Sequence, residues 1–165
     1  MERHEIYDRI SAYEFDEGGS VFPFSARLAR ENGWSRAYTA RVITEYRRFV
    51  FLAVVAGHPV SPSDPVDQAW HLHLLYTKSY WKRFCAETLN TPLHHDPTEG
   101  GREERAKFSR WYERTLESYR AIFGEPPPGD IWPSPGARFG DGHFQRVNIR
   151  HSWIIPKPWA TRRRP

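Results

Sequence analysis

The sequence predicts a mainly α protein, a single compact helical domain of about five helices followed by a proline-rich, irregular or hairpin C-terminal tail. Three observations carry this expectation. Apolar residues recur at spacings of three and four through much of the first 123 positions. The runs are bracketed by helix punctuation, with Ser or Asp ahead of several and Gly behind several. After Gly124 the string EPPPGDIWPSPG carries five prolines in twelve residues, which ends regular helix. We place the domain at residues 1–133 and the tail, packing back on it, at 134–165. A chain of 165 residues is long enough for one domain that buries roughly 70% of its unfolded surface.

The elements follow in order. Ile6, Ile10 and Tyr13 give a first weak helical period, ended by the string DEGGS at Asp16–Ser20. Ser25 is the expected N-cap of a short helix to Asn32, with Gly33 as its stop. Ser35 caps a longer helix over Arg36–Ala56, where Ala40, Ile43, Tyr46, Val50 and Val54 repeat on one face and Gly57 supplies the stop. Its last part, FVFLAVVA, has no polar face and reads as a helix end buried on all sides, although a buried strand fits the same pattern. The next helix starts at Asp64 as cap, Pro65 in the first position and Asp67 at the third, where a carboxylate meets the helix dipole. It either runs to Leu89 in one piece or breaks near Thr77. A long amphipathic helix then carries Phe108, Trp111, Tyr112, Leu116, Tyr119 and Phe123, ending at Gly124. In the tail, 144–149 and 152–155 are candidate short strands, and Ile131 and Trp132 are expected to anchor the proline-rich segment on its own domain.

Composition narrows the function classes. The net charge is +4, with 20 Arg and 4 Lys, but the one basic tract is Arg162–Arg164 and the other bases alternate with acids. A nucleic-acid binder gathers its bases on one face, so nucleic acid is not the expected partner. The longest apolar run, Phe49–Ala56, falls far short of the roughly 20 residues that span a bilayer. The opening residues MERHEIYDRI lack the apolar core of a secretion signal, and the single cysteine, Cys85, forms no internal disulfide. A cytoplasmic protein without a membrane segment is the expectation.

The eight histidines are unevenly placed, four of them within His71–His95. On a continuous helix His71 and His73 diverge by about 200°, so both reach one ion only from extended backbone. Taking Val66 as zero on such a helix, Trp70, His73, Thr77, Tyr80, Trp81 and Phe84 fall within roughly 60° and form one stripe. Trp111 and Tyr112 are expected to face that stripe from the last helix. His71 lies on the flank with Asp67, and these two side chains are the pair expected to meet. Cys85 is about 18 Å from His73 along a straight helix and reads as a small buried residue, a co-ligand only if the helix breaks.

His94, His95 and Asp96 occupy the loop before the last helix, where one imidazole can close a site begun at His71 or His73. Two imidazoles and a carboxylate suit zinc or non-haem iron, and open positions on the ion permit hydrolysis or oxygen chemistry. The same pattern admits a metal-free role, since a carboxylate beside an imidazole fixes its tautomer and raises its basicity. It also admits a packing role, with Asp67 serving the helix dipole, His73 a core residue, and His94 and His95 holding their loop.

The strings VDQAWHLHLLYTKSYW, PLHHDPTEGG and FGEPPPGDIWP together resemble the glycine-rich domain-containing protein-like family in its short bacterial form, over roughly Phe24 to Pro133. The most specific element is the D-x-x-W-H-x-H run at Asp67, Trp70, His71 and His73, followed by His94 and His95. The plant members carry a glycine-rich stretch that this chain lacks. The resemblance implies an all-helical domain around the W-H-x-H segment and implies no reaction and no catalytic residue.

The functional expectation is a transition-metal or acid/base site built from Asp67, His71, His73, His94 and His95, holding one zinc or iron ion and acting on an unknown small molecule or protein. The rival class is a non-catalytic interaction or scaffold module that uses the tryptophans and the proline-rich segment. The sequence does not decide whether the protein is an enzyme.

Overall fold

A computed structural model describes residues 3–16, 18–96 and 98–140. The described chain is mainly helical, with no strand among the described residues, as the hydrophobic periods predict. Its elements are α1 (Arg3–Ala12), α2 (Phe24–Asn32), α3 (Arg36–Val55), α4 (Asp64–Leu75), a π-helix (Ser79–Leu89), α5 (Gly101–Phe123) and the short α6 (Pro135–Arg138). The count exceeds the expected five because the helix from Asp64 breaks and because Pro135–Arg138 adds a turn. The candidate strands at 144–149 and 152–155 lie outside the described residues.

The architecture is organised around α3, which packs against α1, α2, α4 and α5. Phe49, Val50, Phe51 and Leu52 are all buried and residues 53–56 only half-buried, so the stretch is helix rather than strand and is enclosed by its neighbours over its first turn alone. Ser35 caps α3 as expected, its Oγ accepting the Tyr38 N–H at 3.1 Å. Two other caps differ from expectation. Ser25 lies inside α2, and the orphan N–H at that end is satisfied from a distance: Asp16 accepts the Ser25 backbone N–H at 2.8 Å and its hydroxyl at 2.6 Å. Asp16→Ala should therefore destabilise the protein by about 1 kcal/mol, as loss of a local cap would, read as a shift in the urea midpoint. At α4 the cap position belongs to Ser63, while Asp64 turns outward to Arg138 at 2.5 Å and ties α6 to the start of α4.

The break after Leu75 resets every angular relation drawn on one continuous helix. Tyr76 leaves helical geometry at φ −84°, ψ 58°. The π-helix that follows has wide turns, with the Asn90 N–H and the Thr88 hydroxyl each reaching back five residues, to Cys85 and Arg83. Its buried residues are Tyr80, Phe84, Cys85 and Leu89. On an α-helix Leu89 would point about 180° from Tyr80. At roughly 4.4 residues per turn, the pitch of i→i+5 bonding, all four fall within about 50° of one direction. The apolar pattern thus fits the wider helix, and the expected stripe is corrected at two members, since Thr77 is exposed and Trp81 is 41% exposed.

The proline-rich segment is anchored as the sequence predicts, with Ile131 and Trp132 buried. The Trp132 indole N–H donates to Glu45 Oε2 at 2.9 Å, and the Tyr119 hydroxyl donates to Oε1 at 3.3 Å. Arg41 holds Asp130 through two bonds of 2.7 Å, and Tyr112 donates to the Pro133 carbonyl at 2.8 Å. Tyr112 stacks on Trp132, and Trp111 contacts Phe108. Tyr112 therefore serves the Trp132 anchor and Trp111 packs on its own helix, a correction to the expected facing of the histidine stripe that follows from the position of the proline-rich segment between α5 and α3.

Candidate metal centre

Asp67 and His71 sit one turn apart on α4, the spacing at which helical side chains share a face. The third member arrives from the loop after the π-helix. His95 Nε2 lies 2.8 Å from Asp67 Oδ1, and His71 Nε2 lies 3.9 Å from the same oxygen. The three groups each present one ligand atom, all within 4.8 Å of one another. The two distances from Asp67 bracket the roughly 3.3 Å that separates ligand atoms around a tetrahedral ion with bonds near 2.0–2.1 Å. The His71 and His95 rings lie 4.5 Å apart between centroids, at 36°.

The environment is asymmetric. Asp67 and His95 are mostly covered, at 18% and 17% side-chain exposure, whereas His71 is 50% exposed. An ion bound here would have protein on the Asp67 and His95 side and solvent on the His71 side. The Trp70 ring covers His95 from 4.3 Å. The Asp67 carboxylate raises the His95 pKa above the ordinary imidazole value, against the opposing pull of burial. Asp67 meets His71 across one turn as expected, at 3.9 Å, and reaches His95 more closely, at 2.8 Å, so His95 is the carboxylate-stabilised imidazole of the set.

The other expected ligands lie elsewhere. His73 is inside the core at 1% exposure, ringed by Tyr13, Phe15, Phe24, Tyr46, Tyr80 and Phe84. Its Nδ1 is 3.0 Å from the Tyr46 hydroxyl, and its Nε2 has no hydrogen-bond partner. Burial pushes its pKa down to about 3, so the ring is neutral. His94 is exposed and turns to the opposite side of its loop, against Trp81 at 5.4 Å. Burial alternates along this segment, exposed at Pro92, His94 and Asp96 and half-buried at Thr91, Leu93 and His95, the pattern of neighbouring side chains pointing to opposite faces. Cys85 is buried, and burial pushes its thiol pKa up.

Sequence reasoning passed over the residues that hold this arrangement together. The Trp70 indole N–H donates to the Tyr80 hydroxyl at 2.9 Å, and that hydroxyl donates in turn to the Leu93 carbonyl. Both residues stood in the aromatic stripe, but an apolar period carries no information about a hydroxyl bridge across a helix break. His58 was equally silent: its Nε2 accepts from Ser118 at 2.7 Å and its Nδ1 donates to the Pro59 carbonyl at 2.9 Å, tying the loop after α3 to α5.

No curated protein matches the chain, and no solved structure does. One family model does, over residues 7–111, which hold all three members of the cluster and most of the fold around them. It overturns the resemblance drawn from the W-H-x-H and H-H-D strings, because the matching model is not that of a glycine-rich domain-containing family. With 105 of its 165 residues inside that match, the chain belongs to the UCP032817-like family.

Proposed function

We propose that the protein binds one divalent transition-metal ion through Asp67, His71 and His95 and uses the open coordination positions for chemistry on a small molecule. The observation that supports this most is the convergence of two imidazoles and one carboxylate from separate parts of the chain. Two imidazoles and one carboxylate are a sufficient set for zinc in a water-activating site or for non-haem iron. The half-exposed His71 leaves the solvent side accessible to water or substrate. Zinc would direct the site to hydrolysis and iron to oxygen chemistry.

A metal-free acid/base role is the second reading, favoured by the 2.8 Å bond between His95 and Asp67 and by the raised imidazole pKa. The scaffold reading loses one of its contacts, since Trp132 is buried against Glu45 and is not presented to a partner. No helix of the described chain is long and apolar enough to cross a membrane.

Metal analysis of protein prepared without a histidine tag separates the readings. One zinc or iron per chain is expected in the wild type, and Asp67→Ala should weaken binding at least 100-fold and leave the far-UV circular dichroism unchanged. Sub-stoichiometric metal after dialysis against zinc and ferrous iron would leave the acid/base reading in its place.

A further inference from the structure

We infer that Trp70 and Tyr80 are the positioning residues of the candidate centre, and that their hydrogen-bonded chain to Leu93 is what delivers His95 to Asp67. The inference rests on the metal reading for its functional meaning and on geometry alone for its structural content.

His95 belongs to a segment, Thr91–Asp96, with no regular secondary structure. An imidazole on such a segment samples many orientations unless something holds it, and ligand sets need that holding to bind well. Asp67 and His71 need no such help, because α4 fixes both. The held element is therefore the loop, and the structure shows what it is held to. The Tyr80 hydroxyl accepts from Trp70 on α4 and donates to Leu93, two residues before His95, so one oxygen joins both ligand-bearing elements as acceptor and donor at once. Trp70 then contacts the His95 ring itself. Tyr80 is fully buried and Trp70 nearly so, which leaves neither side chain free to swing away. Burial also raises the Tyr80 pKa, so its hydroxyl keeps the proton that it donates.

The π-helix explains how Tyr80 comes to stand there. Its wide turns keep Tyr80, Phe84, Cys85 and Leu89 on one buried face, and Tyr80 is at the end of that face next to α4. The Cys85 thiol interacts with both the Tyr80 hydroxyl and the Leu93 backbone. π-helical turns concentrate at functional sites, and here the turn supplies the bridge between the site's two halves.

Tyr80→Phe tests this with little change of shape, since it removes one oxygen. In the metal-free protein, nuclear Overhauser contacts between the Trp70 indole and the His95 ring should be present in the wild type and lost in Tyr80→Phe. Zinc affinity, measured by competition with a chromophoric chelator, should fall 10- to 100-fold in the same variant. Trp70→Phe, which spares the Tyr80 to Leu93 bond, should lose less. Leu89→Ala, elsewhere on the buried face of the π-helix, serves as the stability control and should keep wild-type affinity. Ring contacts that persist in Tyr80→Phe, or an affinity loss in Leu89→Ala equal to that of Tyr80→Phe, would overturn the inference. A wild type that binds no zinc but loses the ring contacts in Tyr80→Phe would overturn the metal reading and leave the positioning role standing.

Discussion

Between pH 7 and pH 4 the fold should lose about 3 kcal/mol of stability through His73 alone. The imidazole titrates at about 3 in the native protein because burial among aromatic rings disfavours its charge, and at roughly 6.5 in an unfolded chain. Between those values the unfolded chain binds a proton that the native state refuses, so acidification favours unfolding. The loss begins as pH falls through 6.5 and is complete near 3. Glu45 and His95 act in the opposite direction, since the native state holds their protons more tightly than the unfolded chain does. The measurement is therefore a difference, urea unfolding of the wild type and of His73→Phe at pH 7, 5.5 and 4. His73→Phe strands the Tyr46 hydroxyl equally at every pH, and that cost cancels in the comparison. The stability gap between the two proteins should move by about 3 kcal/mol across the range, toward the variant as pH falls. A constant gap would mean that the core admits the proton at His73.

Trp132→Ala should cost about 3–5 kcal/mol, the range for removing a large buried aromatic side chain. Two effects combine in it. The indole fills space beside Phe49, Tyr112 and Tyr119, and its removal leaves a cavity that these rings close only in part. It also removes the N–H that satisfies Glu45 Oε2, leaving a carboxylate at 4% exposure with fewer donors. Trp132→Phe separates the two, because it keeps most of the volume and loses only the donor, and a cost of about 1–3 kcal/mol is expected for it. Urea denaturation at pH 7 measures both. If Trp132→Ala unfolds within 1 kcal/mol of the wild type, the proline-rich segment is an appendage and not part of the core.

Most of the helical framework was legible in the sequence because its signals are local. Ser35, Gly33, Gly57 and Gly124 mark helix ends through their own backbone geometry, and positive φ at all three glycines is what makes them effective stops. The cap on α2 was not legible, since Asp16 reaches Ser25 across a turn and no spacing rule links them. The candidate centre was legible in part. Asp67 and His71 follow from helix spacing, but the choice of His95 over His94 depends on which face of an irregular loop is turned toward α4. His73 was placed correctly on the apolar stripe by angular reasoning, and that same placement separates it from His71. The error in the stripe came from carrying 100° per residue through Tyr76 and into a wider helix, where the angle no longer holds.

The π-helix also makes chain length a structural parameter. A loop between α4 and His95 would absorb a gained or lost residue by bulging or tightening. The stretch from Ser79 to Leu89 has less slack, because its wide turns are what keep Tyr80 and Leu89 on the same buried face. A one-residue deletion there would let the turns close to α-helical pitch and would turn Leu89 away from the face that Tyr80, Phe84 and Cys85 share. The length of this helix, and not only the identity of its side chains, therefore sets which residues face the core beside Tyr80.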